Sequence, residues 1–94
     1  MMAIETKIWD PAELLRTPED IAAYLDTYLE DGDSEEIREA LRIIARSQGM
    51  TALARKTGLT REALYKALGE NGNPTLDTLV RICRALGLRL SLAA

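Results

Sequence analysis

Apolar residues recur at Ile21, Tyr24, Leu25, Tyr28 and Leu29, in steps of three and four that keep one face of a helix apolar. Thr17-Pro18-Glu19-Asp20 supplies the start of that helix: a capping hydroxyl, a proline at the first helical position and an acid in the first turn. Asp10-Pro11-Ala12-Glu13 repeats the device upstream and predicts a short helical turn carrying Leu14 and Leu15. Gly32, within Asp31-Gly32-Asp33, predicts the stop. Asp33 and Glu36 then cap a second helix over about 34–48, with Ile37, Leu41, Ile44 and Ala45 along its apolar face. Arg38, Arg42 and Arg46 lie on another face of it and read as a surface stripe braced by Glu35 and Glu39.

Three short helices follow. Thr51 is expected to cap one over roughly 52–57, stopped by Gly58. Thr60 caps roughly 61–69, and a loop runs from Gly69 to Pro74. Thr75 caps roughly 76–86, with Leu76, Leu79, Val80, Cys83 and Leu86 on one face and Gly87 as the stop. The tail Leu88-Arg89-Leu90-Ser91-Leu92 alternates apolar and polar, which predicts a short strand. A lone strand needs a partner, and the same tail of a second copy is the least costly one. Leu88, Leu90 and Leu92 are therefore the expected dimerisation residues of a homodimer.

The chain of 94 residues is one domain's worth, with 47% hydrophobic and 29% charged residues, a globular composition. No apolar run spans a bilayer, and Glu5, Lys7, Asp10 and Glu13 interrupt any signal-peptide pattern. The single Cys83 excludes an internal disulfide and fits a reducing cytoplasm. Without histidine, and with one cysteine, most metal sites and nucleophilic triads fall away, so neither a metal nor a cofactor nor an enzyme is expected. Adjacent acids such as Glu19/Asp20 and Glu35/Glu36 stand at helix starts, where capping explains them better than catalysis. Few aromatics argue against a stacking surface for single strands.

The net charge of −3 conceals a division. Residues 1–33 set Lys7 and Arg16 against nine acids, a net of −7, whereas residues 34–94 carry a net of +4. We read this as an acidic helical arm over 1–32 and a basic module over 33–94.

Thr51 to Gly69 concentrates the chemistry. Two short helices flank the tight turn Lys56-Thr57-Gly58-Leu59; Gly58 suits a left-handed turn, and Ala54 allows close approach. Leu53, Leu59, Leu64 and Leu68 supply a core. This is the pattern of a helix-turn-helix. In its second helix Ala63, Leu64 and Ala67 fall on one side, with Leu68 at the margin, and Arg61, Glu62, Tyr65 and Lys66 on the other. Arginine can donate two bonds to guanine, glutamate can accept from cytosine, and lysine can reach guanine or phosphate. Thr51 and Thr60 at helix starts, and Asn71 and Asn73 in the following loop, complete the candidate DNA contacts. The bland alternatives are a solvated face, with Glu62 and Lys66 spaced as an ion pair, and asparagines serving only as turn residues. In the arm, Trp9, Ile21, Tyr24 and Tyr28 are candidate partner anchors, with packing of the arm onto the body as the alternative.

Thr51 to Leu86 resembles the Xre/Cro-repressor type of helix-turn-helix. The chain as a whole resembles the small addiction-module antidotes of the HigA type, through Trp9-Asp10-Pro11-Ala12-Glu13, Tyr24-Leu25, Ala54 to Leu59, Leu64-Tyr65-Lys66-Ala67-Leu68, Gly72-Asn73-Pro74-Thr75 and Ala85-Leu86-Gly87-Leu88-Arg89-Leu90. The resemblance implies an all-α, lambda-repressor-like helix-turn-helix domain with an N-terminal acidic arm and a short C-terminal strand. It also implies a type II antitoxin that neutralises a basic toxin of the RelE/ParE superfamily and represses its own operon as a dimer on double-stranded DNA. An acidic arm is a physically sensible cover for a basic, RNA-binding toxin. The rival readings are a phage-type regulator without a toxin and a protein-binding module that does not bind DNA.

Overall fold

The computed structural model describes residues 11–94. Among these the regular elements are helical throughout. A 3-10 turn at Pro11–Leu14 precedes α1 (Pro18–Asp31), α2 (Ser34–Gln48), α3 (Met50–Thr57), α4 (Arg61–Leu68) and α5 (Leu76–Ala85). Asp10, the predicted cap of the first turn, lies outside the described residues.

The two long helices start as their sequences dictate. Thr17 Oγ1 accepts from the Asp20 amide at 3.1 Å, while the Asp20 carboxylate accepts from the Thr17 amide at 3.1 Å. At α2 the reciprocal bonds join Asp33 and Glu36, at 2.9 and 3.3 Å. Each pair satisfies backbone donors that a helix N-terminus otherwise leaves open. Thr60 and Thr75 cap α4 and α5 by accepting from Ala63 and Thr78 amides. Thr51 does not cap α3: the helix begins one residue earlier, at Met50, with Gly49 as its N-cap. Met50 is buried and Thr51 exposed, so the core holds the start of α3 by a side chain rather than by a hydroxyl.

The helices share one core. α1 packs on α2, α3 lies against α2, α4 and α5, and α4 also touches α2. Ile44, Leu53, Leu64, Leu68 and Ile82 are fully buried at its centre, each worth about 1.5–3 kcal/mol of apolar transfer. Leu15, Ile21 and Leu25 belong to the same cluster, so the acidic segment is built onto the body through its apolar stripe.

Three expectations are corrected. Leu68 is 1% exposed and belongs to the inner face of α4 with Leu64, whereas Ala63 is exposed. Leu76, at the first position of α5, is 74% exposed. The inward stripe of α5 is Leu79, Ile82, Cys83 and Leu86, spaced by three, four and seven. The C-terminal tail forms no strand. Within one chain its alternating residues have no neighbouring strand to bond with, and Leu88 instead packs against the core. What shapes the start of the tail is the end of α5: Gly87 is left-handed at φ +78°, its amide donates to Arg84 at 3.1 Å, and the Leu88 amide donates to Cys83 at 2.8 Å. That pair of bonds satisfies the last carbonyls of α5 and folds the chain back toward α1.

Candidate functional site

α3 and α4 are joined by Gly58, Leu59 and Thr60. Gly58 ends α3 in the left-handed conformation (φ +75°), which a residue with a Cβ adopts only under strain. Thr57 locks the turn from inside. Its hydroxyl is buried, donates to the Leu53 carbonyl at 2.8 Å and accepts from the Leu59 amide at 3.2 Å. Arg81 of α5 donates to the Thr57 carbonyl at 3.3 Å and pairs with Asp77 at 3.0 Å, bracing the turn from outside. The turn is thus over-determined, and the orientation of α4 relative to α3 is set by several independent contacts.

Leu64 and Leu68 anchor α4, and its outward side carries Arg61, Glu62, Tyr65 and Lys66, all exposed. Tyr65 is 49% exposed and lies one turn after Arg61, whose guanidinium stands 5.8 Å from its ring centre and 3.5 Å from its hydroxyl. These four side chains are brought together on one outward surface. Thr60 is exposed beside them, although its oxygen is engaged as the cap of α4. Thr51 is exposed on the first turn of α3. Asn71 and Asn73 are exposed in the loop after α4, where Asn71 adopts the left-handed conformation at φ 63°.

Two cations emerge here that the sequence assigns only to a surface stripe. Arg42 and Arg46 of α2 line a shallow hollow of about 340 Å³ with Met50, Tyr65, Leu68 and Gly69, which places them along the border of the α4 face. Arg42 pairs with Glu39 as expected. Arg38 departs from the stripe and donates to the Gly72 carbonyl at 2.8 Å, holding the loop that follows α4. Its four-residue spacing from Arg42 carried no sign of that long-range bond.

In the arm, Trp9 lies outside the described residues. Ile21 is 2% exposed, so this structure offers it to the core and not to a partner. Tyr24 and Tyr28 are half-buried with edge-on rings 5.3 Å apart and hydroxyls 3.4 Å apart. Burial, the Tyr28 hydroxyl and the charge of Glu39 all push the Tyr24 phenol well above its ordinary value. Of the tail leucines, Leu88 is half-buried, while Leu90 and Leu92 stand in solvent.

Residues 5–94 match the model of a family described as probable addiction module antidote protein. The chain belongs to this family. The chain is also 42% identical over 88 residues to an uncharacterized protein of Haemophilus influenzae, across 94% of its own length and 91% of that protein. No solved structure matches the chain significantly. Membership of an antidote family implies, in general, a toxin as partner. Among the described residues no helix is long and apolar enough to cross a membrane.

Proposed function

We propose that this chain is the antitoxin of a type II module, which neutralises a RelE/ParE-superfamily toxin in the cytoplasm and represses its own operon. In this reading α3 and α4 form a lambda-repressor-like helix-turn-helix and α4 enters the major groove. Arg61 and Lys66 grip or read DNA, Glu62 and Tyr65 contribute base or backbone contacts, and Thr51, Thr60, Asn71 and Asn73 approach phosphates. The observation that carries the reading is the exposed face of α4: four polar side chains share one outward surface on a helix that Leu64 and Leu68 anchor in the core. Arg42 and Arg46 add positive charge along its edge.

Repressors of this geometry act as two-fold dimers whose reading helices are about one DNA turn, ~34 Å, apart. The exposed Leu90 and Leu92 of the tail are the proposed contact with a second copy. The operator is then a rough inverted repeat.

The test is binding of the full chain to its own upstream DNA by fluorescence anisotropy at two salt concentrations, with scrambled DNA as control. Specific binding that weakens steeply with salt supports the repressor reading, since phosphate contacts release counterions. Weak binding without sequence preference and with little salt dependence overturns it and favours a protein-binding module.

A further inference from the structure

α1 has two opposed faces. Ile21, Leu25 and Tyr28 turn toward the core, whereas Glu19, Ala22, Ala23, Asp26 and Leu29 turn away from it. The outward face is not a plain solvated surface. Leu29 is 53% exposed, Ala22 and Ala23 are exposed beside it, and Glu19 and Asp26 repeat at a seven-residue interval along the same stripe. The tail folds back along this face after the turn at Gly87, and Leu88 and Leu90 form a second wall. Between helix and tail lies an open groove of about 490 Å³ with Cys83 at its floor.

Charge decides what can occupy it. α1 carries Glu19, Asp20, Asp26, Glu30 and Asp31 and no lysine or arginine. Arg89 on the tail is the one cation among the described residues lining the groove. A second copy seated here by its own α1 would bring two such acidic helices together, which like-charge repulsion disfavours. A segment with apolar side chains toward Ala22, Leu29 and Leu88, and with lysine or arginine along its edges, is complementary in both respects.

We propose that the groove between α1 and the C-terminal tail is the docking site for an amphipathic, basic segment of the partner toxin. This rests on the antitoxin reading and moves the contact to the side of α1 opposite Ile21, Tyr24 and Tyr28. The aromatic pair then serves to hold α1 on α2, and the contact is made by alanines, leucines and carboxylates. The groove also lies on different elements from the α4 surface, so one chain can engage toxin and DNA at once.

The full chain is titrated with the purified product of the adjacent toxin gene, by calorimetry, alongside variants Ala22→Arg, Asp26→Lys and Leu29→Arg. All three positions are exposed, and circular dichroism and thermal melting check that each variant stays folded. The expected result is binding by the unaltered chain, a loss of at least about tenfold in the groove variants, and unchanged toxin affinity in Arg61→Ala and Lys66→Ala. Equal affinity in all the groove variants overturns the groove while leaving the antitoxin reading intact. No binding by the unaltered chain overturns both. A dimer of the free chain that dissociates on Leu29→Arg gives this face to a second copy and likewise overturns the proposal.

Discussion

The Arg38 guanidinium of α2 donates to the Gly72 carbonyl oxygen at 2.8 Å, joining two residues that stand 34 apart in the chain. It fastens the loop after α4 to the helix on which α1 packs, so the proposed DNA surface and the acidic helix share a support. Arg38→Ala is expected to cost about 1 kcal/mol, since a charge-assisted bond at a half-buried position is lost. Amide exchange of residues 69–75 is expected to quicken more than that of α5. Unchanged stability and exchange would show that the bond contributes nothing.

Thr57 gives a second prediction about rigidity. Thr57→Val keeps the shape of the side chain, removes the donor to Leu53 and leaves the Leu59 amide without its acceptor. A loss of about 1–2 kcal/mol is expected in chemical denaturation. Thr57→Ser retains both bonds and is expected to recover most of it. Equal stability of the valine and serine variants would contradict the role assigned to the hydroxyl.

Arg61→Ala and Lys66→Ala are each expected to weaken operator binding without changing helicity, because both side chains are exposed and neither belongs to the core. A cation lost from a phosphate lowers the slope of log affinity against log salt by about one, and one lost from a base relaxes sequence preference instead. The two outcomes separate gripping from reading. Undiminished affinity in both variants sinks the assignment of α4.

Ile21 tests how far the acidic segment belongs to the body. It is 2% exposed in the same cluster as Leu41 and Ile44, so Ile21→Ala is expected to cost about 3 kcal/mol. Deleting residues 1–30 removes Leu15, Ile21 and Leu25 together and is expected to destabilise the fold along with any toxin contact. A thermal melt of either variant matching the unaltered chain would mean that the arm is dispensable to the core.

Alkaline pH probes one buried acid, Cys83, and one half-buried acid, Tyr24. Burial raises the Cys83 thiol above its ordinary 9.0 and, with Tyr28 and Glu39, raises the Tyr24 phenol above its ordinary 10.0. In both cases the folded state holds its proton more tightly than the unfolded chain. The associated stability is therefore full below pH 9.0 and is lost as pH rises, first through Cys83 and then, above 10.0, through Tyr24. Denaturation midpoints are expected to fall above pH 9.0, with Tyr24→Phe flattening the upper part of the decline. A midpoint that holds steady up to pH 11, on the order of two units above the thiol's usual range, would contradict the burial of Cys83.

Helix starts and stops depend on a few neighbouring residues, so they were readable along the chain. Thr17 with Asp20, Asp33 with Glu36, and Thr60, Thr75, Gly58 and Gly87 each act over a span of one turn, and each does in the fold what its local chemistry requires. The grouping of Arg61, Glu62, Tyr65 and Lys66 was equally legible, because helical periodicity alone puts them on one face. Where a contact joins distant segments, local pattern carried no information. Nothing near Arg38 points to Gly72, and nothing in the alternation of residues 88–92 tells whether a neighbouring strand exists to complete a ladder. The same limit governs α1. Its apolar stripe shows which residues seek burial, and the aromatics there read equally as contacts for a partner or as packing of the arm onto the body. Only the packing of α1 on α2 and the fold-back of the tail spend Ile21 and Tyr28 on the chain's own core and leave Ala22, Asp26 and Leu29 facing outward. Burial is a property of the whole assembly of helices, which no single stretch of sequence contains.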